Sequence, residues 1–124
     1  MQFDEQSPLD GLIEGYGADG FRVAGRVHKG AVLLLPERSI PWDVSGVGDI
    51  TLESLSEVTG NSDGIDILLI GCGPTVQMIP SALRKKLRDE FSISVDFMDT
   101  GAACRTYNVL RMDERLVAAA LLPT

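Results

Sequence analysis

The sequence predicts an α/β fold, a layered sheet carrying helices, with a β-rich section at its N-terminus. Three observations lead there. Short apolar runs separated by turn residues fill the first third of the chain, and strand-like and helix-like periods alternate through the second half. Two late runs, 65–70 and 116–122, are apolar almost throughout, the pattern of strands covered on both faces. With 124 residues and 44% hydrophobic content, one domain spanning 1–124 is expected, burying about two thirds of its unfolded surface.

Each element follows from local chemistry. Residues 12–17 and 21–27 flank Asp19-Gly20, which suits the positive-φ positions of a tight hairpin turn. The apolar run 31–35 closes at Pro36, and Pro41 forces Ile40 into an extended conformation. Asp49 or Thr51 can cap a short helix that buries Leu52, Leu55 and Val58 and stops at Gly60. The strand 65–70 ends at Gly71-Cys72-Gly73-Pro74. Pro80 then opens a helix in which Ile79, Leu83, Leu87 and Phe91 recur every fourth position, leaving Arg84, Lys85, Lys86 and Arg88 outside. Ile93, Val95 and Phe97 alternate with Ser94 and Asp96, and 116–122 is the last strand.

Two turns offer a candidate site. The run 98–110, Met-Asp-Thr-Gly-Ala-Ala-Cys-Arg-Thr-Tyr-Asn-Val-Leu, joins a strand to a helix through small polar residues. Thr100 is expected as the N-cap, and Gly101 leaves the first amides open to an anion, with Arg105 and Asn108 nearby; the plainer and favoured reading is that Thr100 and water satisfy those amides and the polar arc is solvated. At 100° per residue, Ala102, Ala103, Thr106, Tyr107, Val109 and Leu110 form an arc expected to face the sheet, opposite Gly101, Cys104, Arg105, Asn108 and Arg111. Gly71-Cys72-Gly73 follows a buried strand, where α/β sheets place ligands. Val76 stands where a dinucleotide fingerprint needs its third glycine, which favours a tight turn. Side by side, the two turns would form one ligand or anion pocket of Gly71, Gly73, Thr100, Gly101, Arg105 and Asn108.

Other chemistries find less support. Cys104 beside Arg105 would be a reactive thiol only if exposed, and Cys72 and Cys104 are expected free. One histidine, His28, with two cysteines makes no metal site, and the acids lack calcium-loop spacing. The net charge of -7 opposes nucleic-acid binding. Apolar runs fall short of the ~20 residues that span a bilayer, and the N-terminus lacks signal features, so a cytoplasmic location without direct membrane insertion is expected. The basic run 84–88 reads as a solvated face, and Trp42 as cover for a sheet edge rather than a partner anchor.

The strand end Leu69-Ile70-Gly71-Cys72-Gly73, the helix opened by Pro80, the run 98–110 and Val117-Ala118-Ala119-Ala120-Leu121 together resemble the Mth-type domain family. Gly15-Tyr16, Phe21 and Pro41-Trp42 extend the likeness. That small family of largely unknown function includes the mitochondrial assembly factor three of respiratory complex I and an adipogenesis-associated relative. The resemblance implies a three-layer α/β fold around a mixed central sheet, with an added N-terminal β section, and carries over no catalytic residue or cofactor. Relatives often have threonine at Cys72 and Glu-Gly at Asp113-Glu114, which leaves the shape of the turn before the last strand open. By resemblance, the chain is expected to be a noncatalytic interaction or assembly factor with respiratory-complex or membrane-assembly proteins as partners. The alternative is a small-molecule or anion binder, an enzyme included, working through the six pocket residues.

Overall fold

The opening apolar runs become two successive hairpins rather than one. In the computed structural model, which describes residues 11–124, β1 (Ile13–Tyr16), β2 (Gly20–Val23) and β3 (Arg26–Lys29) form an antiparallel three-stranded sheet in chain order. The turn at Asp19-Gly20 is the expected one; Gly20 has φ +148, and a Cβ there would collide with the His28 carbonyl oxygen. The expected strand 21–27 is instead broken after Val23. Ala24 and Gly25 adopt φ 51 and 79, the pair of left-handed residues that a two-residue type I′ turn requires. Alanine in place of the usual asparagine hides that turn from the sequence.

A mixed five-stranded sheet forms the centre. Its order is β5 (Ser39–Pro41), β4 (Val32–Leu34), β8 (Val117–Leu121), β6 (Ile67–Gly71) and β7 (Ser94–Met98). β4 runs antiparallel to β5 and β8, whereas β6 runs parallel to both its neighbours. The two runs that are apolar almost throughout therefore lie side by side inside the sheet as β6 and β8. Proline at 41 is tolerated because β5 is an edge.

Alternate residues of these strands enter two separate cores. One face of the sheet places Leu33, Leu68, Ile70, Ala118 and Ala120 with Leu83 and Leu87 of α2 (Ser81–Phe91) and with Leu55 and Val58. The other face places Val32, Leu34, Leu69, Ala119 and Leu121 with Ala103 and Tyr107 of α3 (Thr100–Met112) and with Ile13, Phe21 and Val23 of the N-terminal sheet. Helices lie on both faces, which makes three layers.

The segment before β6 is a chain of short turns: 3-10 helices at Val47–Asp49, Glu53–Leu55 and Ser62–Gly64, with α1 (Ser56–Thr59) capped at Gly60. Within it, Thr51 and Ser54 exchange backbone-to-hydroxyl bonds of 2.9 and 3.0 Å, a reciprocal cap at the turn that leads into α1. Trp42 is buried against this segment and donates its indole N–H to the Ser54 carbonyl at 2.8 Å. It covers the sheet, as expected. Pro80 is the N-cap of α2, one residue earlier than a first-turn proline, and Arg84, Lys85, Lys86 and Arg88 are exposed.

The turn before β8 keeps the shape that glycine would give it. Arg115 N–H donates to the Leu110 carbonyl at 2.9 Å and Glu114 N–H to the Arg111 carbonyl at 3.0 Å, the two bonds of a Schellman motif. Glu114 occupies its left-handed position at φ 58. A non-glycine residue costs about 1–2 kcal/mol there, and glycine returns part of that gain as backbone entropy. Glu114→Gly should therefore stabilise the protein by about 0.5–1 kcal/mol, seen as a higher urea midpoint at unchanged slope.

Candidate functional site

The 71–73 turn and the start of α3 lie side by side, joined by one buried hydroxyl. Thr100 Oγ1 accepts from the Gly73 N–H at 2.9 Å and donates to the Leu122 carbonyl at 2.6 Å. Around it, Thr100 N–H donates to the Gly73 carbonyl at 2.8 Å, Cys72 N–H to the Met98 carbonyl at 2.8 Å, and Leu122 N–H to the Gly71 carbonyl at 3.0 Å. Thr100 is fully buried. It is not the helix cap: Asp99 holds that position, its Oδ1 accepting from Ala102 N–H at 2.8 Å. The hydroxyl of Thr100 is committed to two backbone groups of other segments, so the neighbouring Asp99 carboxylate takes the Ala102 amide instead.

Packing at the junction is tight. A Cβ on Gly71 would lie 2.9 Å from both Thr100 Oγ1 and Leu121 Cδ2 and 3.2 Å from Thr100 Cα. Gly73 has φ +99, open only to glycine without strain. Gly101 is buried as well, because the Tyr16 hydroxyl sits where its Cβ would be, 2.8 Å away. Arg105 reaches that same hydroxyl at 3.4 Å.

α3 is turned relative to the arc that hydrophobicity selects. Ala103 and Tyr107 are buried as expected, but so are Gly101 and Cys104 of the expected outer arc, whereas Val109 of the expected inner arc is 66% exposed. The reason is that α3 meets two surfaces, the central sheet and the N-terminal sheet. Asn108 serves the second: its Oδ1 accepts from Ile13 N–H at 2.8 Å and its Nδ2 donates to the Ile13 carbonyl at 2.9 Å. The amide acts as one more peptide unit on the edge of β1. Arg111 donates to the Pro36 carbonyl at 3.0 Å. Periodicity alone leaves Asn108 and Arg111 solvated, because neither the N-terminal sheet nor the β4–β5 turn is visible in the spacing.

Of the six candidate residues, the structure thus gathers Gly71, Gly73 and Thr100 at one junction, sets Gly101 and Arg105 against Tyr16, and places Asn108 on Ile13. Tyr16 is the neighbour that the site reading omitted. A groove of about 340 Å³ lies elsewhere, among the second hairpin, the β4–β5 turn and α3, with Arg26, Arg38, Tyr107 and Arg111 on its walls. Its residues come from separate parts of the chain, so no motif marks it. Arg38 is paired with Glu57 at 2.7 Å.

Both cysteines are free and buried. Burial pushes the Cys104 thiol up from 9.0 to about 12, against a smaller downward pull from Arg105, so the helix start does not activate it. Cys72 Sγ donates to the Gln77 carbonyl at 3.4 Å, and His28 Nε2 lies 3.1 Å from Ser39 Oγ. Burial also raises the Tyr107 phenol, opposed by Arg111. The sign for stability follows. Below pH 9 the Cys104 thiol is neutral in both states; above it the unfolded thiol ionises first, and stability falls from about pH 9 to 12. Urea midpoints should drop over that range, less so in Cys104→Ala. The folded protein at pH 8 should resist a thiol reagent, and the unfolded chain should react at both cysteines.

Among the described residues, no group of three or more His, Cys, Asp and Glu is placed to hold a metal, and no helix is long and apolar enough to cross a membrane. Comparison with known proteins agrees with the architecture. The fold matches a crystal structure titled as an outer membrane protein from Bartonella henselae with TM-score 0.85 and 41% identity, covering 95% of this chain and 98% of that one. It also matches a Bordetella pertussis protein described as a Mth938-like domain, TM-score 0.82 and 25% identity, covering 99% and 91%. In sequence it is 36% identical over 112 residues to NADH dehydrogenase [ubiquinone] 1 alpha subcomplex assembly factor 3 of Xenopus tropicalis, covering 90% of this chain. The chain spans 61% of that relative's length. A family model matches residues 13–122, and the chain belongs to that family, described as protein of unknown function (DUF498/DUF598).

Proposed function

We propose that this chain is a noncatalytic interaction protein that helps partner proteins assemble, with subunits of a respiratory complex or of another membrane complex as its partners. The observation that supports this reading is the 36% identity to a complex I assembly factor, which extends over 90% of the chain. Its own chemistry agrees: polar residues of the candidate pocket are engaged in holding the fold, Thr100 between the Gly73 N–H and the Leu122 carbonyl and Asn108 on both backbone groups of Ile13. The working part is then the outer surface. A net charge of -7 keeps nucleic acid away, and work from the cytoplasmic side completes the proposal.

Affinity capture of the tagged chain from its own cells at low salt, with proteins and small molecules both identified in the eluate, tests it. Respiratory-complex subunits are the expected recovery. A stoichiometric small molecule without protein partners would overturn the reading. If the double variant Arg105→Ala, Asn108→Ala lost that molecule while staying folded, the function would move to the six residues around Gly71 and Thr100.

A further inference from the structure

The N-terminal sheet has one edge closed and one edge open. At β1 the Asn108 amide takes both backbone groups of Ile13, whereas β3 ends the sheet with no strand beyond it. The register fixes which groups that edge presents. Val23 pairs with Arg26 across the Ala24-Gly25 turn, Phe21 pairs with His28, and Gly30 N–H donates to the Asp19 carbonyl at 2.9 Å. The backbone groups of Arg26, His28 and Gly30 therefore point into the sheet, and those of Val27 and Lys29 point away from it. Among the described residues, none bonds to that outward set. The side chains of the same strand are exposed and basic. Val27 is 72% exposed, Arg26 and Lys29 are exposed too, and neither cation has a carboxylate partner among the described residues. In a chain of net charge -7, this strand carries cations and no acid.

We propose that the β3 edge takes an extended, acidic segment of a partner protein as a further antiparallel strand, a contact that rests on the interaction reading above and names its surface. Val27 and Lys29 each exchange both backbone bonds with the incoming strand. Its residue opposite Val27 lies on the same face and is apolar, and its residues opposite Lys29 and Arg26 are acidic. The residue opposite His28 is unconstrained, because the His28 ring is turned to Ser39 Oγ, 3.1 Å from Nε2. From its own N-terminus the segment therefore runs acidic, any residue, apolar, acidic. A second copy of β3 does not fit that description, since it would bring Arg26 and Lys29 of both chains together.

Titration of the full chain with the end-blocked peptide Thr-Glu-Thr-Val-Glu-Thr, followed through the backbone amide resonances, reads this directly. The Val27 and Lys29 amides should shift most, with a dissociation constant of about 0.1–1 mM, because a short flexible strand must be ordered for few bonds. The same peptide with lysine for both glutamates should bind at least about tenfold more weakly, and Arg26→Glu with Lys29→Glu should reverse that preference. Val27→Pro removes an outward N–H that the hairpin does not use, so β2 should keep its resonances while binding falls at least about fivefold. Where that proline disturbs the hairpin, the charge reversal decides alone. No shift at Val27 and Lys29 up to about 5 mM peptide, equal binding of the acidic and basic peptides, or a folded Val27→Pro chain that binds as the wild type does would each overturn the proposal. Respiratory-complex subunits still captured from cells would then place the failure in the edge and leave the interaction reading standing.

Discussion

Replacing Thr100 by valine is expected to destabilise the protein by about 2–4 kcal/mol. The exchange keeps the β-branched shape and deletes only the hydroxyl that the Gly73 N–H and the Leu122 carbonyl share, at 2.9 and 2.6 Å in a fully buried position. Leaving one buried polar group without its partner costs about 1–3 kcal/mol, and here two are left. Thr100→Ser keeps both bonds and loses a methyl, so about 1 kcal/mol is expected from it. Urea unfolding of the two variants separates the causes. A valine variant within about 0.5 kcal/mol of the wild type would show that the hydroxyl does not join the turn to the helix.

Asn108→Ala should cost about 2–3 kcal/mol, and the loss should be local. Both backbone groups of Ile13 depend on the Asn108 amide, at 2.8 and 2.9 Å, so the variant leaves a donor and an acceptor of β1 without a side-chain partner. The three-stranded sheet is fastened to α3 through this pair together with the packing of Ile13, Phe21 and Val23 on Tyr107 and Ala103. Amide hydrogen exchange should therefore accelerate first in β1 and β2, while β6 and β8, in the middle of the central sheet, keep their protection. Uniform acceleration across both sheets would contradict a local clamp.

Much of the fold can be read from the residues themselves. The runs 65–70 and 116–122 are apolar because both faces of β6 and β8 are covered, and the fourfold spacing from Ile79 to Phe91 describes the narrow buried stripe of α2. Three features escaped for identifiable reasons. The second hairpin turns on Ala24-Gly25, whose left-handed alanine carries no turn signal. The cap of α3 passed from Thr100 to Asp99 because a hydroxyl serving two distant backbone groups is invisible to a local rule. The facing of α3 differs from its hydrophobic arc because Asn108 looks solvated until the N-terminal sheet is laid beside it, and Arg111 until the β4–β5 turn is. The candidate pocket shows the same limit: the two turns do adjoin, but whether Gly71 has a ligand or Thr100 beside it depends on distances of an ångström.

Deleting the gene and resolving the cell's respiratory complexes on a native gel tests the assembly reading most directly. The account predicts that a respiratory complex stalls as subassemblies without the chain and that the wild-type gene, returned, restores the full complex. Respiratory complexes that assemble in normal amount and at normal rate without the chain would contradict it.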